Sequence, residues 1–123
     1  MIVLDTNILI YYFQGEREII EKLDSQRASK QKFGISIITK IELLSYPKIT
    51  SEEIKKINNL LKEFRIFNVD EVIASKATEI RRKYRIPLAD AIIAATAFFT
   101  KSPLVTRNIK HFQKIKEIKV KSL

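Results

Sequence analysis

Three carboxylates stand where apolar segments begin or end: Asp5 after Ile2-Val3-Leu4, Glu42 within Ile41-Glu42-Leu43-Leu44, and Asp90 within Leu88-Ala89-Asp90-Ala91-Ile92-Ile93. An acid among so many apolar neighbours is costly unless something compensates its charge. In an α/β sheet the carboxyl ends of the strands open onto one crevice, so acids far apart in sequence can converge there. Converging carboxylates repel one another, and a shared cation relieves the repulsion. Their oxygens are hard ligands, which points to Mg²⁺ or Mn²⁺ and away from zinc. The chain has no cysteine and one histidine, His111, so neither a thiolate site nor a histidine-built zinc site is available.

Each acid also has a structural alternative. Asp5 can cap the helix that follows it. Thr39 and Glu42 have the S/T-x-x-E spacing of a capping box, in which each satisfies an orphan donor of the helix start. Asp90 falls in the first turn of its helix, where the dipole favours a negative charge.

The elements that must position these residues follow from periodicity. Met1 to Leu4 reads as a strand buried on both faces. Ile8, Leu9, Tyr12 and Phe13 fall at helical spacing, and Gly15 separates that helix from a second over about Glu16 to Ser29. Gly34 to Ile38 reads as the next strand, Thr39 as the start of a helix that Pro47 interrupts, and Thr50-Ser51-Glu52-Glu53 as a capping box. Behind that box Ile54, Ile57, Leu60, Leu61 and Phe64 form one apolar face. Ile66 to Val69 is the third strand, and Asp70 caps a helix to about Tyr84 with Val72, Ile73, Ala77 and Ile80 inward. Ala89 to Thr100 is apolar nearly all round, as a buried helix is. Leu104-Val105, a short helix from Asn108 to Phe112, and Ile118 to Val120 complete the alternation. That alternation predicts an α/β fold with a mainly parallel sheet and helices on both faces.

Composition bounds the rest. At 123 residues and 46% apolar content the chain has room for one domain, residues 1–123, with a real core. No apolar run reaches the roughly 18 residues of a membrane span. The N-terminus has neither a basic leader nor a small-residue cleavage site, and with no cysteine the expected compartment is the cytoplasm. The formal charge of +9 favours a polyanionic partner, and nucleic acid is the natural one. The charge is uneven: residues 101–123 carry seven Lys or Arg against Glu117 alone, and Arg81, Arg82, Lys83 and Arg85 cluster at a helix end. Arg81, Arg82, Arg85, Arg107 and Lys110 are candidates for guiding an RNA backbone, with a solvated basic face as the alternative. Tyr11 and Tyr12 are candidates for stacking on bases, one of the two being expected in the core.

Four segments together resemble the PIN-domain nucleases and, within them, the VapC-type toxins of toxin–antitoxin pairs. They are Ile2-Val3-Leu4-Asp5-Thr6-Asn7, Ile41-Glu42-Leu43-Leu44, Leu88 to Ala97, and Leu104 to Phe112, in family order over almost the whole chain. The resemblance implies a three-layer α/β/α sandwich and metal-dependent endonucleolytic hydrolysis of RNA, with Asp5, Glu42 and Asp90 as the acidic cluster and metal ligands. It assigns Asn7 and Thr106 to orienting that cluster. It also implies a cognate antitoxin and a homodimer. The family usually adds a fourth acid in the loop after the fourth strand, whereas Thr106-Arg107-Asn108-Ile109-Lys110-His111 has none, so either Asn108 or His111 takes that place or a ligand is missing. A catalytically weakened RNA-binding or RNA-processing module is the alternative. A phosphatase of the haloacid-dehalogenase type would want a second acid at position 7, where Asn7 stands.

Overall fold

Five short strands, all parallel, form the middle layer. The computed structural model describes residues 1–123. The elements run β1 (Ile2–Leu4), α1 (Thr6–Phe13), α2 (Arg17–Ala28), β2 (Phe33–Ser36), α3 (Ile37–Leu44), α4 (Ser51–Leu61), β3 (Arg65–Phe67), α5 (Glu71–Tyr84), α6 (Leu88–Thr100), β4 (Leu104–Val105), α7 (Ile109–Phe112) and β5 (Val120–Lys121). The sheet order is β3-β2-β1-β4-β5. Val3 pairs with Gly34 on one side and with Leu104 on the other.

Strand alternation sorts the core into two halves. Val3 and Leu104 point to one face, where they pack with α5, α6 and α7 through Ile80, Ile93 and Phe112. Leu4, Val105 and Ile35 point to the other, against α1 to α4 through Ile8, Leu23 and Ile57. Helices on both faces make the sandwich three-layered, as expected. Each fully buried aliphatic side chain contributes about 1.5–3 kcal/mol by leaving water. On α6 the run Ala91 to Ala97 is entirely buried, and its alanines let α5 and the sheet approach closely. Gly34 is needed for a similar reason: a Cβ there would stand 2.9 Å from the Phe67 ring and 3.1 Å from the Met1 sulfur.

Local chemistry set several boundaries as anticipated. Thr50 and Glu53 form the full capping box of α4, and Asp70 caps α5 by accepting from the Ile73 amide at 2.8 Å. Other expectations need correction. The β2 strand ends at Ser36, whose hydroxyl accepts from the Ile38 amide, so Ser36 caps α3 and Thr39 lies inside the helix. Strand β3 begins one residue early at Arg65 and ends at Phe67, and β5 is Val120–Lys121 rather than Ile118 to Val120. Val72 is 57% exposed and Ile54 is also exposed, because a helical repeat marks a face without marking its edge.

Candidate active site

The chain lays down β1, β2 and β3 in one direction, then places β4 and β5 on the far side of β1. The order of the sheet therefore reverses between β1 and β4. In such sheets the ligand crevice lies outside the carboxyl ends of the strands at the reversal. Asp5 follows β1 there and Thr106 follows β4. The Thr106 hydroxyl donates to Asp5 Oδ2 at 2.9 Å, a buried bond between residues 101 positions apart. Thr106 Oγ1 also accepts from the Asn108 amide at 2.9 Å.

Asp5 occupies the N-cap position of α1, yet its side chain makes no capping hydrogen bond. It is 3% exposed. Burial pushes its carboxyl above the ordinary value of 3.8, and the charges of Asp90 and Glu42 add to the rise. The Thr106 hydroxyl and the Thr6 amide pull the other way without cancelling it. Asp90 and Glu42, remote in sequence, thus act on Asp5 electrostatically.

Glu42 differs from expectation in two respects. It is exposed on α3, and it is not engaged with Thr39 as a cap. Thr6 donates to Glu42 Oε1 at 2.7 Å, and Thr6 and Thr39 hydroxyls lie 2.8 Å apart in the buried floor. Because the single Thr6 proton goes to Glu42, Thr39 is the donor to Thr6. A relay of two hydroxyls therefore orients the carboxylate. Neither threonine was singled out for this role by the sequence, although Thr6 sits directly beside Asp5.

Asp90, in the first turn of α6, is held by His111 of α7, with Nε2 and Oδ2 2.7 Å apart. Both side chains are about a quarter exposed. Between the two residues suggested for the place of a fourth acid, His111 reaches an acid directly. Asn108 instead lines a pocket beside it with Asn7, Tyr11, Glu16 and Arg107.

The donor set suits a hard divalent cation: three carboxylates, with Asp5 the buried member under like-charge repulsion. They do not form a preformed cage, since no three Asp, Glu or His side chains stand within metal-binding proximity. Each acid is held instead by a protein donor, Thr106, Thr6 or His111.

The basic candidates divide. Arg107 stands at the pocket of Asn7 and Asn108, over the Tyr11 ring and paired with Glu16. Arg81, Arg82 and Arg85 line a separate groove of about 640 Å³ between α5 and α6, with Leu88 and Ile92. Leu88 and Ile92 lie on one face of α6, and Asp90, two residues from each, projects from the opposite one. These arginines therefore do not adjoin the acids. Lys110 is exposed on α7. Tyr12 is engaged elsewhere, its hydroxyl donating to Asp24 at 2.8 Å, which leaves Tyr11 as the tyrosine at the site.

Known proteins with this arrangement are recognisable. The PIN domain model matches residues 2–118. The chain is 35% identical to "Ribonuclease VapC1" of Methanocaldococcus jannaschii, over 98% of this chain and 85% of that protein. It is 32% identical to "Ribonuclease VapC10" of Mycobacterium tuberculosis, over 97% and 91%. Among solved structures it is similar to a toxin–antitoxin complex from Klebsiella pneumoniae, with 34% identity, a TM-score of 0.79 and coverage of 96% and 95%. VapBC2 from Rickettsia felis, bound to a DNA fragment from its promoter, matches with a TM-score of 0.84, 26% identity and coverage of 100% and 99%. With Asp5 at the sheet's reversal point and this agreement along the whole chain, the protein belongs to the PIN-domain family and, within it, to the VapC group.

Proposed function

We propose that the protein is an endoribonuclease acting as the toxin of a toxin–antitoxin pair, with catalysis at Asp5, Glu42 and Asp90. One observation carries the assignment of the site: Asp5 is a buried carboxylate whose charge is opposed by burial, Asp90 and Glu42, at the reversal point of the sheet. A protein retains such a cluster when a cation offsets its cost. Asp5, Asp90 and Glu42 would hold Mg²⁺ or Mn²⁺, which when bound supplies charge neutralisation at the scissile phosphate and acidifies a water.

The chain's own residues do the rest. Thr106 holds the Asp5 carboxylate in place by donating to Oδ2. Glu42, steadied by Thr6 and Thr39, takes the proton of the attacking water. In-line attack then leaves a 5′-phosphate and a 3′-hydroxyl. His111 fixes Asp90 where the family usually has a further acid. Asn7 and Asn108 border the site, and Arg81, Arg82, Arg85, Arg107 and Lys110 contribute to holding RNA.

An antitoxin has a suitable place to dock. A groove of about 760 Å³ runs beside Glu42, formed by Ile10, Phe13, Tyr46 and Ile49 with Glu42 and Glu53. It presents two acids and no base in a chain of net charge +9, which suits an apolar segment carrying a cation. The toxin would work in the cytoplasm as a homodimer, a second copy covering Val72, which is 57% exposed. No helix is long and apolar enough to cross a membrane.

The decisive experiment is cleavage of end-labelled RNAs with Mg²⁺ or Mn²⁺, a chelator control and Asp5→Asn. Cleavage that needs the metal and falls at least about 100-fold in the variant is expected. The weakened-module alternative draws on His111 standing at Asp90 in place of an acid. RNA binding without cleavage by any preparation would select it.

A further inference from the structure

The pocket lined by Asn7, Tyr11, Glu16, Arg107 and Asn108, of about 440 Å³, is set into the site from both of its strands. Asn7 comes three residues after the end of β1 and Asn108 three after the end of β4. Its wall and the central acid share one chain of hydrogen bonds, from the Asn108 amide to Thr106 Oγ1 and on to Asp5 Oδ2. Whatever occupies it lies next to Asp5.

The lining narrows the occupant. Glu16 and Arg107 are paired with each other, so the pocket offers neither a free cation to a phosphate nor a free carboxylate to a metal ion. Only Tyr11 is apolar, so an aliphatic side chain would leave the polar groups unpaired. A nucleobase suits all five: it has a π-face for stacking and an edge of mixed donors and acceptors. Carboxamides, carboxylates and guanidinium groups pair with such edges, and the Asn carboxamides carry both a donor and an acceptor. Arg107 lies 5.0 Å over the Tyr11 ring centroid and is held there by its ion pair with Glu16. Unpaired RNA bases stack on aromatic rings and on guanidinium groups alike. Neutralised by Glu16, Arg107 is poorly suited to clamping a phosphate and well suited to serving as a platform.

We propose that this pocket is a nucleobase subsite, seating one unpaired base of the RNA beside the scissile phosphate, with Tyr11 and Arg107 as platform and Glu16 as the residue that positions it. The inference rests on the ribonuclease reading and adds a requirement to it: the substrate must present that base out of a stack, in a loop or single strand.

The test uses a short single-stranded RNA that the protein cuts, with each nucleotide around the cleavage point replaced in turn by an abasic ribose. In the wild-type protein one flanking abasic position is expected to lower kcat/KM by roughly 5- to 150-fold, the range for loss of one stacked base. Tyr11→Leu and Glu16→Gln should cut intact and abasic RNA with nearly equal efficiency, the loss lying in KM. Glu16 is a surface residue, so its variant keeps the test open should Tyr11→Leu fold poorly. Undiminished discrimination in folded Glu16→Gln, or no sensitive position in the wild type, overturns the subsite. Binding of the same labelled RNAs in chelator, read by fluorescence anisotropy, separates the two levels of inference. Discrimination there without any cleavage would sink the nuclease and keep the base pocket, while its absence sinks the pocket whatever the cleavage result. Should either variant weaken a bound antitoxin and leave base discrimination intact, the pocket belongs to the protein interface and the proposal fails.

Discussion

Asp5 concentrates the conflict between stability and function. Burial and the two neighbouring acids make its carboxyl hold a proton to higher pH in the folded chain than in the unfolded one. Below the ordinary carboxylate value both states are protonated and the site costs nothing. As pH rises through the higher folded value, the fold acquires a buried charge and loses stability, and the loss is complete once the folded group has ionised. Asp5→Asn removes that charge and can still accept from Thr106. In chelator at pH 7 the variant should therefore melt above the wild type, with the gap closing as pH falls toward 3.8. Added Mg²⁺ or Mn²⁺ should stabilise the wild type alone. A variant that melts at or below the wild type throughout would mean that Asp5 imposes no such cost. At this scale the three acids were visible from their apolar flanks, and the family resemblance pointed to Thr106 and His111 near them. Thr6 was not singled out, because its hydroxyl serves Glu42 on another element and such a contact leaves no local trace.

Elements were legible where their signals are local. Thr50 with Glu53 and Asp70 with Ile73 interact within one turn, so spacing alone located the starts of α4 and α5. Thr39 and Glu42 show the same spacing and form no such pair, because Ser36 caps α3 one turn earlier and Thr39 is recruited by Thr6. Ser36 is completely buried, and its role links helix geometry to the placement of Glu42. Ser36→Ala should cost about 1 kcal/mol, the usual loss for an N-cap. Urea denaturation measures that cost, and cleavage should fall as well because α3 carries Glu42. Thr50→Ala should cost a similar amount and leave cleavage unchanged. Equal effects of both on cleavage would show that α3 capping has no special connection to the acids. Val72, read as inward yet 57% exposed, marks the limit of periodicity: neighbours in space, not spacing, decide which edge of an amphipathic face is covered.

At the scale of the whole molecule, charge and topology act together. The net charge of +9 should make RNA binding fall with salt, the log–log slope reflecting the phosphates neutralised. If the groove between α5 and α6 tracks the backbone, replacing Arg81, Arg82 and Arg85 by Ala should reduce that slope by about 0.7 per lost phosphate contact on a single strand. An unchanged slope would identify them as solvated surface and leave the remaining cations to hold the RNA. The α/β class was readable from the alternation of elements. The reversal of the sheet between β1 and β4 was not, because no local signal says on which side of β1 a later strand inserts. That late insertion also governs when the molecule becomes competent. Asp5 is synthesised well before its hydroxyl partner, which follows 101 positions later. Until β4 has emerged and docked, β1 keeps a bare edge and the central acid is unsupported. A chain that stops short of β4 thus lacks both the strand that closes this edge of β1 and the hydroxyl that supports the central acid.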